Sequence, residues 1–313
     1  MRLQVAIGLL RDPAGRVLVN RRAPGAHLSG LWEFPGGKRE SGETVGEALA
    51  RELWEELGIT VLSATEILVI RHDYPGRPVE LRVFRVDAWA GEVASREGQP
   101  LRWVEPGELN GLGLPAASRA VVTTARLPEL YLISPEPRSA AEIGAEVERV
   151  QRRLAQGGIG LLQIRAPGLE KEHFLRYARA LMAAADLHGA ETLVNAPLSW
   201  LDALPATGWH LTERRLRAQR SRPRRDGWLA ASVHDREGLE RALALPVDFV
   251  VAGPVKQTLT HPGARPLGLE GFAELRAHAG LPVFGLGGLS RDDLPVMRAV
   301  GAQGVAAIRG LLD

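Results

Sequence analysis

From Leu130 to the end of the chain, eight short apolar runs recur between longer amphipathic stretches. They read LYLIS, GLLQIR, TLVNA, GWHLT, WLAASV, DFVVAG, PVFGLGG and GVAAIRG. Each reads as a short apolar strand. Strands of that kind need helices over their faces. Segments such as SAAEIGAEVERVQRRLAQ, EKEHFLRYARALMAAADLHG and SRDDLPVMRAVG carry apolar residues at helical spacing between the runs. Repeated strand–helix units predict a closed parallel (β/α)8 barrel, compact for that architecture, over residues 128–313.

The preceding region has a different rhythm. LQVAIGLL, a turn at RDPAG and RVLVNRR read as strand, turn, strand; TEILVIRHDY and VELRVFRVDAWAG read as further strands. LRWVEPGEL reads as a short strand and turn, and AASRAVVTTA as a closing helical pattern. This predicts an α+β domain over residues 1–127, joined to the barrel near Leu127–Pro128 without a Gly/Ser tether. A chain of 313 residues has room for two such cores.

No run of about 18 or more apolar residues is present, so no membrane span is expected. The first residues lack the small-residue cleavage site of a signal peptide. The absence of cysteine removes disulfides, thiolate metal sites and a Cys nucleophile, and it fits a cytoplasmic location. The formal charge is only +2, so a nucleic-acid polymer is not an expected partner despite a pI of about 9.3. The basic run from Arg214 to Arg225 reads as a solvated loop, with a phosphate or RNA contact as the alternative.

The segment GGKRESGETVGEALARELWEELGIT, Gly36 to Thr60, gathers Glu52, Glu55 and Glu56 on one helical face. A solvated acidic face is the ordinary meaning of such a run. Hard oxygen donors at this density also suit Mg²⁺ or Mn²⁺, which bridge to phosphates. Gly37, five residues, Glu43, seven residues and RELWEELGI complete the spacing G-x5-E-x7-R-E-U-x-E-E-x-G-U, with U a bulky aliphatic residue. Glu43 stands at the helix start, where a carboxylate is favourable, and can orient Arg51. Gly58 stops the helix. PGGK forms a tight turn whose backbone can approach a ligand.

That spacing is the Nudix signature, and residues 1–125 resemble the MutT-type Nudix hydrolases, also through RRAPGAHLSGLWEFPGGK and EGQPLRWV. The resemblance implies a divalent metal, Mg²⁺ or Mn²⁺, held by Glu52, Glu55, Glu56, the backbone carbonyl at Gly36, and Glu97 in a later loop. It implies Glu52 as general base, and attack of water on a nucleoside triphosphate to yield the monophosphate and pyrophosphate. Arg22 and Lys38 are the expected phosphate holders, with a plain surface role as the alternative for Arg22. Phe34, Tyr74 and Arg77 resemble the family's base-side positions. The family member that removes 8-oxo-dGTP places an Asn after P-x-A in the C-terminal loop. Here Ser118 stands there, able to hydrogen-bond but not to pair through an amide.

The barrel region resembles thiamine-phosphate synthase and its TenI relatives over residues 130–313, through GPVKQTLTHPGARPLGLEGF, PVFGLGGLS and GAQGVAAIRG. The resemblance implies a phosphate cradle at Gly287, Gly288, Leu289 and Ser290 and at Ile308, Arg309 and Gly310. Gln163, Arg165, Asn195, Ser232, Thr258 and Thr260 match further family positions. Glycines serving tight turns alone are the other reading. Several positions depart from the family pattern. No Lys follows Arg165 at the second position, and Ala196 follows Asn195 where the family has Asp. Arg215 stands where a second metal-binding Asp belongs, His261 replaces a Lys, and Pro254 replaces the tautomerase His. Without either Asp a Mg²⁺–diphosphate site is not expected, because the ion needs anionic oxygen.

The expected function is a Mg²⁺-dependent Nudix pyrophosphohydrolase, with 8-oxo-dGTP and nucleotide-pool sanitation first, fused to a degenerate synthase-like barrel. Two alternatives stand. The Nudix chemistry is directed at a thiamine-pathway diphosphate, or the barrel is a non-catalytic module for a phosphorylated ligand. The expected partners are accordingly a small nucleotide and a phosphorylated ligand in the barrel.

Overall fold

The computed structural model describes residues 2–22, 29–205, 208–223, 227–258, 263 and 265–312. Contacts divide the chain into two compact units, Met1–Arg126 with Arg276–Pro282, and Leu127–Leu275 with Val283–Asp313. Thr260 and His261 lie outside the described residues.

In the first unit, β1 (Leu3–Leu10), β2 (Val17–Arg21), β3 (Trp32–Glu33), β4 (Thr60–Tyr74), β5 (Arg77–Ala90) and β6 (Leu101–Val104) form two three-stranded sheets among the described residues. Their orders are β1-β5-β4 and β3-β2-β6. β1 runs parallel to β5, while β4 and β5 form a long antiparallel hairpin. Strand alternation splits the core in two. Ile7, Leu9, Val17 and Val19 enter one cluster with Phe34 and Val83. Ala6, Leu10 and Leu18 enter the other, against helix α1 (Val45–Leu57).

Helix α1 buries Ala48, Leu49, Leu53 and Leu57, a stripe that leaves Glu52, Glu55 and Glu56 outside the core. A buried Leu contributes about 1.5–3 kcal/mol, whereas a like-charge pair on a helix surface costs a few tenths. Packing therefore outweighs the repulsion among the acids. Thr44 and Glu47 form a capping box at the start, and Gly58 ends the helix in the left-handed region at φ 73°. A second helix, α2 (Arg119–Arg126), follows the short 3₁₀ turn Ala116–Ser118.

In the second unit, eight parallel strands close into a barrel among the described residues. They are β7 (Leu130–Ile133), β8 (Leu161–Ile164), β9 (Glu191–Val194), β10 (Gly208–Leu211), β11 (Leu229–Val233), β12 (Phe249–Ala252), β13 (Val283–Leu286) and β14 (Gly304–Ala307). The eight apolar runs read from the sequence are these eight strands. β14 pairs with β7 to close the ring. Tyr131, Phe249 and Phe284 pack together with ring centroids 5.5–5.8 Å apart. Among the described residues no helix is long and apolar enough to cross a membrane.

Candidate active site

The two glycines ahead of α1 are there for different physical reasons. Gly36 has φ +134°, and a Cβ on it would lie 2.2 Å from the Ala6 carbonyl oxygen. A Cβ on Gly37 would lie 2.1 Å from the Glu52 carboxyl carbon. Strand β1 holds this turn through Ala6 N–H to Gly37 O and Gly8 N–H to Pro35 O, both 2.8 Å. The turn thus sits directly on the acidic face of α1, and the Gly36 N–H donates to Glu56 Oε2 at 3.1 Å.

Arg51 organises the exposed side of that face. Its Nε and Nη2 donate to the two Glu43 oxygens at 3.2 and 2.9 Å. Its Nη1 reaches Glu52 at 3.0 Å and Glu55 at 3.1 Å, and Nη2 also donates to the Lys38 carbonyl at 3.0 Å. The Arg51 hydrogen bond holds the Glu43 carboxyl below the usual range. Glu55 is exposed, whereas Glu52 and Glu56 are partly buried.

Burial pushes Glu56 up to about 8, and the charges of Glu33, Glu52 and Glu97 add to it against the opposing hydrogen bond from Gly36. Burial also raises Glu52, with Glu55 and Glu97 contributing and Arg51 opposing. Glu97 comes within range because its loop is tied to the end of α1. Ala94 N–H donates to Leu57 O and Arg96 N–H to Glu56 O, each at 3.0 Å. The Gln99 amide donates to Glu56 O at 3.1 Å, and its oxygen accepts from Ser95 Oγ at 2.8 Å and the Glu97 N–H at 3.1 Å. Gln99 satisfies a helix-end carbonyl and shapes the Glu97 loop at once.

Among the described residues no three His, Asp or Glu side chains stand together closely enough to hold a metal ion. Glu52 and Glu55 turn instead toward Arg51. The donor chemistry nevertheless fits Mg²⁺ or Mn²⁺. Burial first, and then the charges of Glu33, Glu52 and the exposed Glu97, raise Glu56, and a divalent cation would offset that repulsion. With their carboxylates drawn together, Glu52, Glu56, Glu97 and the Gly36 carbonyl would hold it, with Glu55 and Glu97 on the exposed side.

Sequence reasoning missed Glu33 and Gln99. The Asn20–Glu33 register of β2 and β3 puts Glu33 beside Asn20, which is buried and whose Oδ1 has no hydrogen-bond partner. Arg22, expected at a phosphate, is paired with Glu33 through Nε at 2.6 Å. Lys38 is exposed. Phe34 and Ala117 lie in one buried cluster, with Tyr74 packed against it. Ser118 is buried next to Ala117, its N–H bonded to Pro115 O at 2.9 Å. Tyr74 and Arg77 face each other at the tip of the β4–β5 hairpin.

The barrel holds a cavity of about 440 Å³ lined by Gln163, Arg165, Asn195, Ser232, Thr258, Gly287 and Ile308, all expected from the sequence. Gly288 and Arg309 are exposed and are not part of that lining. Packing also demands both glycines: a Cβ on Gly287 would lie 2.6 Å from Pro254 Cβ, and one on Gly288 2.6 Å from the Gln257 carbonyl. Beneath the cavity lies His210, fully buried, a residue that sequence reasoning passed over inside the apolar run GWHLT.

Two family models match the chain. One described as thiamine monophosphate synthase matches residues 130–311, and one described as NUDIX domain matches residues 6–124. An 8-oxo-dGTP diphosphatase of Escherichia coli (strain K12) is 38% identical over 121 residues, which is 39% of this chain and 94% of that protein. A thiamine-phosphate synthase of Azorhizobium caulinodans is 35% identical over 185 residues, 58% of this chain and 86% of that protein. A thiamine-phosphate synthase of Thermus thermophilus is 30% identical over 188 residues, 60% of this chain and 90% of that protein.

Proposed function

Since the chain belongs to the thiamine monophosphate synthase family through residues 130–311 and to the Nudix hydrolases through residues 6–124, we propose that it is a Mg²⁺- or Mn²⁺-dependent pyrophosphohydrolase of oxidised guanine nucleotide, 8-oxo-dGTP first. The domains are assigned as 1–127 for the hydrolase and 128–313 for the barrel. The observation that carries this reading is the packing of the Gly36–Gly37 turn onto Glu52 and Glu56 of α1. The similarity to an 8-oxo-dGTP diphosphatase supports the choice of substrate.

In this reading Glu52 takes a proton from the attacking water. The water oxygen bonds to phosphorus as the α–β phosphoanhydride breaks, leaving nucleoside monophosphate and pyrophosphate. Burial raises the Glu52 carboxyl, which makes it a better proton acceptor near neutrality. Arg51, fixed by Glu43, keeps Glu52 turned in one direction. Glu56 is anchored by the Gly36 N–H. A bound divalent cation supplies charge against the phosphate oxygens and makes water more acidic. Ser118, buried beside the Phe34 cluster, reads the base.

Glu52→Gln and Glu56→Gln keep size and remove anionic oxygen. Turnover is expected to fall by about a hundredfold or more in each at saturating Mg²⁺. Near-wild-type rates in both would sink the assignment. The fused barrel favours one second reading, a thiamine-pathway diphosphate as the substrate of the same site. A panel of 8-oxo-dGTP, dGTP, hydroxymethylpyrimidine diphosphate and thiamine diphosphate separates the two by kcat/KM.

A further inference from the structure

Three residues of the cavity wall, Asn195, Gln163 and Ser232, belong to a chain of hydrogen bonds whose direction is forced from one end. Arg215 Nη1 lies 2.6 Å from Asn195 Oδ1. A guanidinium has no acceptor, so the oxygen of Asn195 must face it and the amide nitrogen must face away. That nitrogen donates to Gln163 Oε1 at 3.0 Å. The Gln163 nitrogen then meets His210 Nδ1 at 3.2 Å, where the Tyr131 hydroxyl also arrives at 3.1 Å. An NH₂ group can only donate, so Nδ1 is the acceptor and the ring proton sits on Nε2. Nε2 is 2.9 Å from Ser232 Oγ and donates to it. Burial keeps His210 neutral, its pKa pushed down to about 3, with Arg165 and Arg215 adding to the effect.

The direction has a chemical consequence. Ser232 receives a proton donor from its histidine, so His210 is not a base for it and Ser232 is not an activated nucleophile. Its own hydroxyl proton is left for an acceptor in the cavity it lines. A cation at one end polarises each link toward that hydroxyl.

The charge balance of the cavity points the same way. Arg165 lines it and has no carboxylate partner among the described residues. Arg215 stands behind the lining, donating to Asn195 of the cavity wall; burial lowers its pKa, and the charges of Arg214 and Arg165 lower it further, so Arg215 and Arg165 repel each other. The one carboxylate in the lining among the described residues, Glu213, is paired with Arg217 at 2.6 Å. The Asn195 oxygen is occupied by the Arg215 guanidinium.

We propose that this cavity is a metal-independent binding site for a small phosphorylated or diphosphorylated molecule, gripped by Arg165, Arg215 and the Ser232 hydroxyl, with Arg215 supplying the positive charge that a divalent cation would otherwise bring. The inference concerns the barrel alone and stands apart from the hydrolase reading.

Inorganic pyrophosphate is the probe, titrated calorimetrically into the full chain in EDTA. Binding in the absence of divalent metal is expected. Arg215→Gln and Arg165→Gln should each weaken it by about tenfold or more, and Ser232→Ala by a smaller factor. Arg215→Lys should retain part of the affinity, which separates loss of charge from loss of fold. Circular dichroism of each variant identifies any that fails to fold, and the remaining variants then decide. Glu56→Gln should leave the metal-free binding unchanged, placing the anion away from the hydrolase helix. Binding that requires Mg²⁺, binding abolished by Glu56→Gln, or folded Arg215→Gln and Arg165→Gln variants that bind like wild type would each overturn the proposal.

Discussion

Replacing Gly37 by Ala moves one carboxylate without touching the backbone that carries it. The new Cβ would lie 2.1 Å from the Glu52 carboxyl carbon and 2.3 Å from each of its oxygens. Carbon atoms rest about 3.5–4.0 Å apart, so the carboxylate must withdraw by more than about 1 Å. The far end of a flexible side chain can do this, while Leu49 and Leu53 keep α1 in place. Gly37 does not occupy the left-handed region, so Ala adds no backbone strain. The loss of the Glu52–Arg51 pair costs about 0–1 kcal/mol at this partly exposed position, and a Gly→Ala exchange returns about 0.4–1 kcal/mol. Stability should therefore change little. Catalysis should not escape, because a misplacement of about 1 Å at the reacting group can cost about a hundredfold. The assay is pyrophosphate release at saturating Mg²⁺ beside a urea titration. Gly36→Ala is the contrast: φ +134° and a Cβ 2.2 Å from a main-chain oxygen predict a stability loss of more than about 2 kcal/mol. The reasoning fails if Gly37→Ala hydrolyses nucleotide near the wild-type rate, or if it is destabilised as much as Gly36→Ala.

Three further outcomes are expected. Ser118→Ala should reduce the preference for 8-oxo-dGTP over dGTP by about fivefold to tenfold with little change in kcat, since one buried hydrogen bond is lost; equal kcat/KM for the two nucleotides in the wild-type protein would defeat the sanitation reading. His210 has a folded pKa of about 3 against an unfolded value near 6.5, so the unfolded barrel binds the extra proton and stability falls as pH drops below 6.5. The wild-type barrel should lose ~2 kcal/mol from this residue between pH 7 and pH 5, and His210→Gln should not; identical pH slopes in urea titrations would refute it. The full chain, given hydroxymethylpyrimidine diphosphate, thiazole phosphate and Mg²⁺, should make no thiamine phosphate at enzymatic rates, and product formed at ordinary turnover would show that Ala196 and Arg215 do not disable the barrel.

The sequence alone determined whatever depends on spacing along the chain. Short continuous apolar runs alternating with amphipathic stretches marked all eight barrel strands, because a strand buried on both faces is apolar along its length. The interval from Gly37 through Glu43 to Glu56 identified the acidic helix and its glycine turn, because the contacts between them are nearly local. The departures at Ala196 and Arg215 were also legible, since a carboxylate is present or it is not. Tertiary structure decided what those side chains meet. Glu33 reaches Glu56 only because β3 runs beside β2, and Gln99 closes on the end of α1 from 43 residues away. Arg22 is drawn to Glu33 rather than left open. In the barrel, Arg215, Asn195, Gln163, His210 and Ser232 come from different strands and loops, and no periodicity links them. Their order, and the direction in which each donates, follows from a guanidinium that cannot accept and from distances that exist only once the barrel has closed.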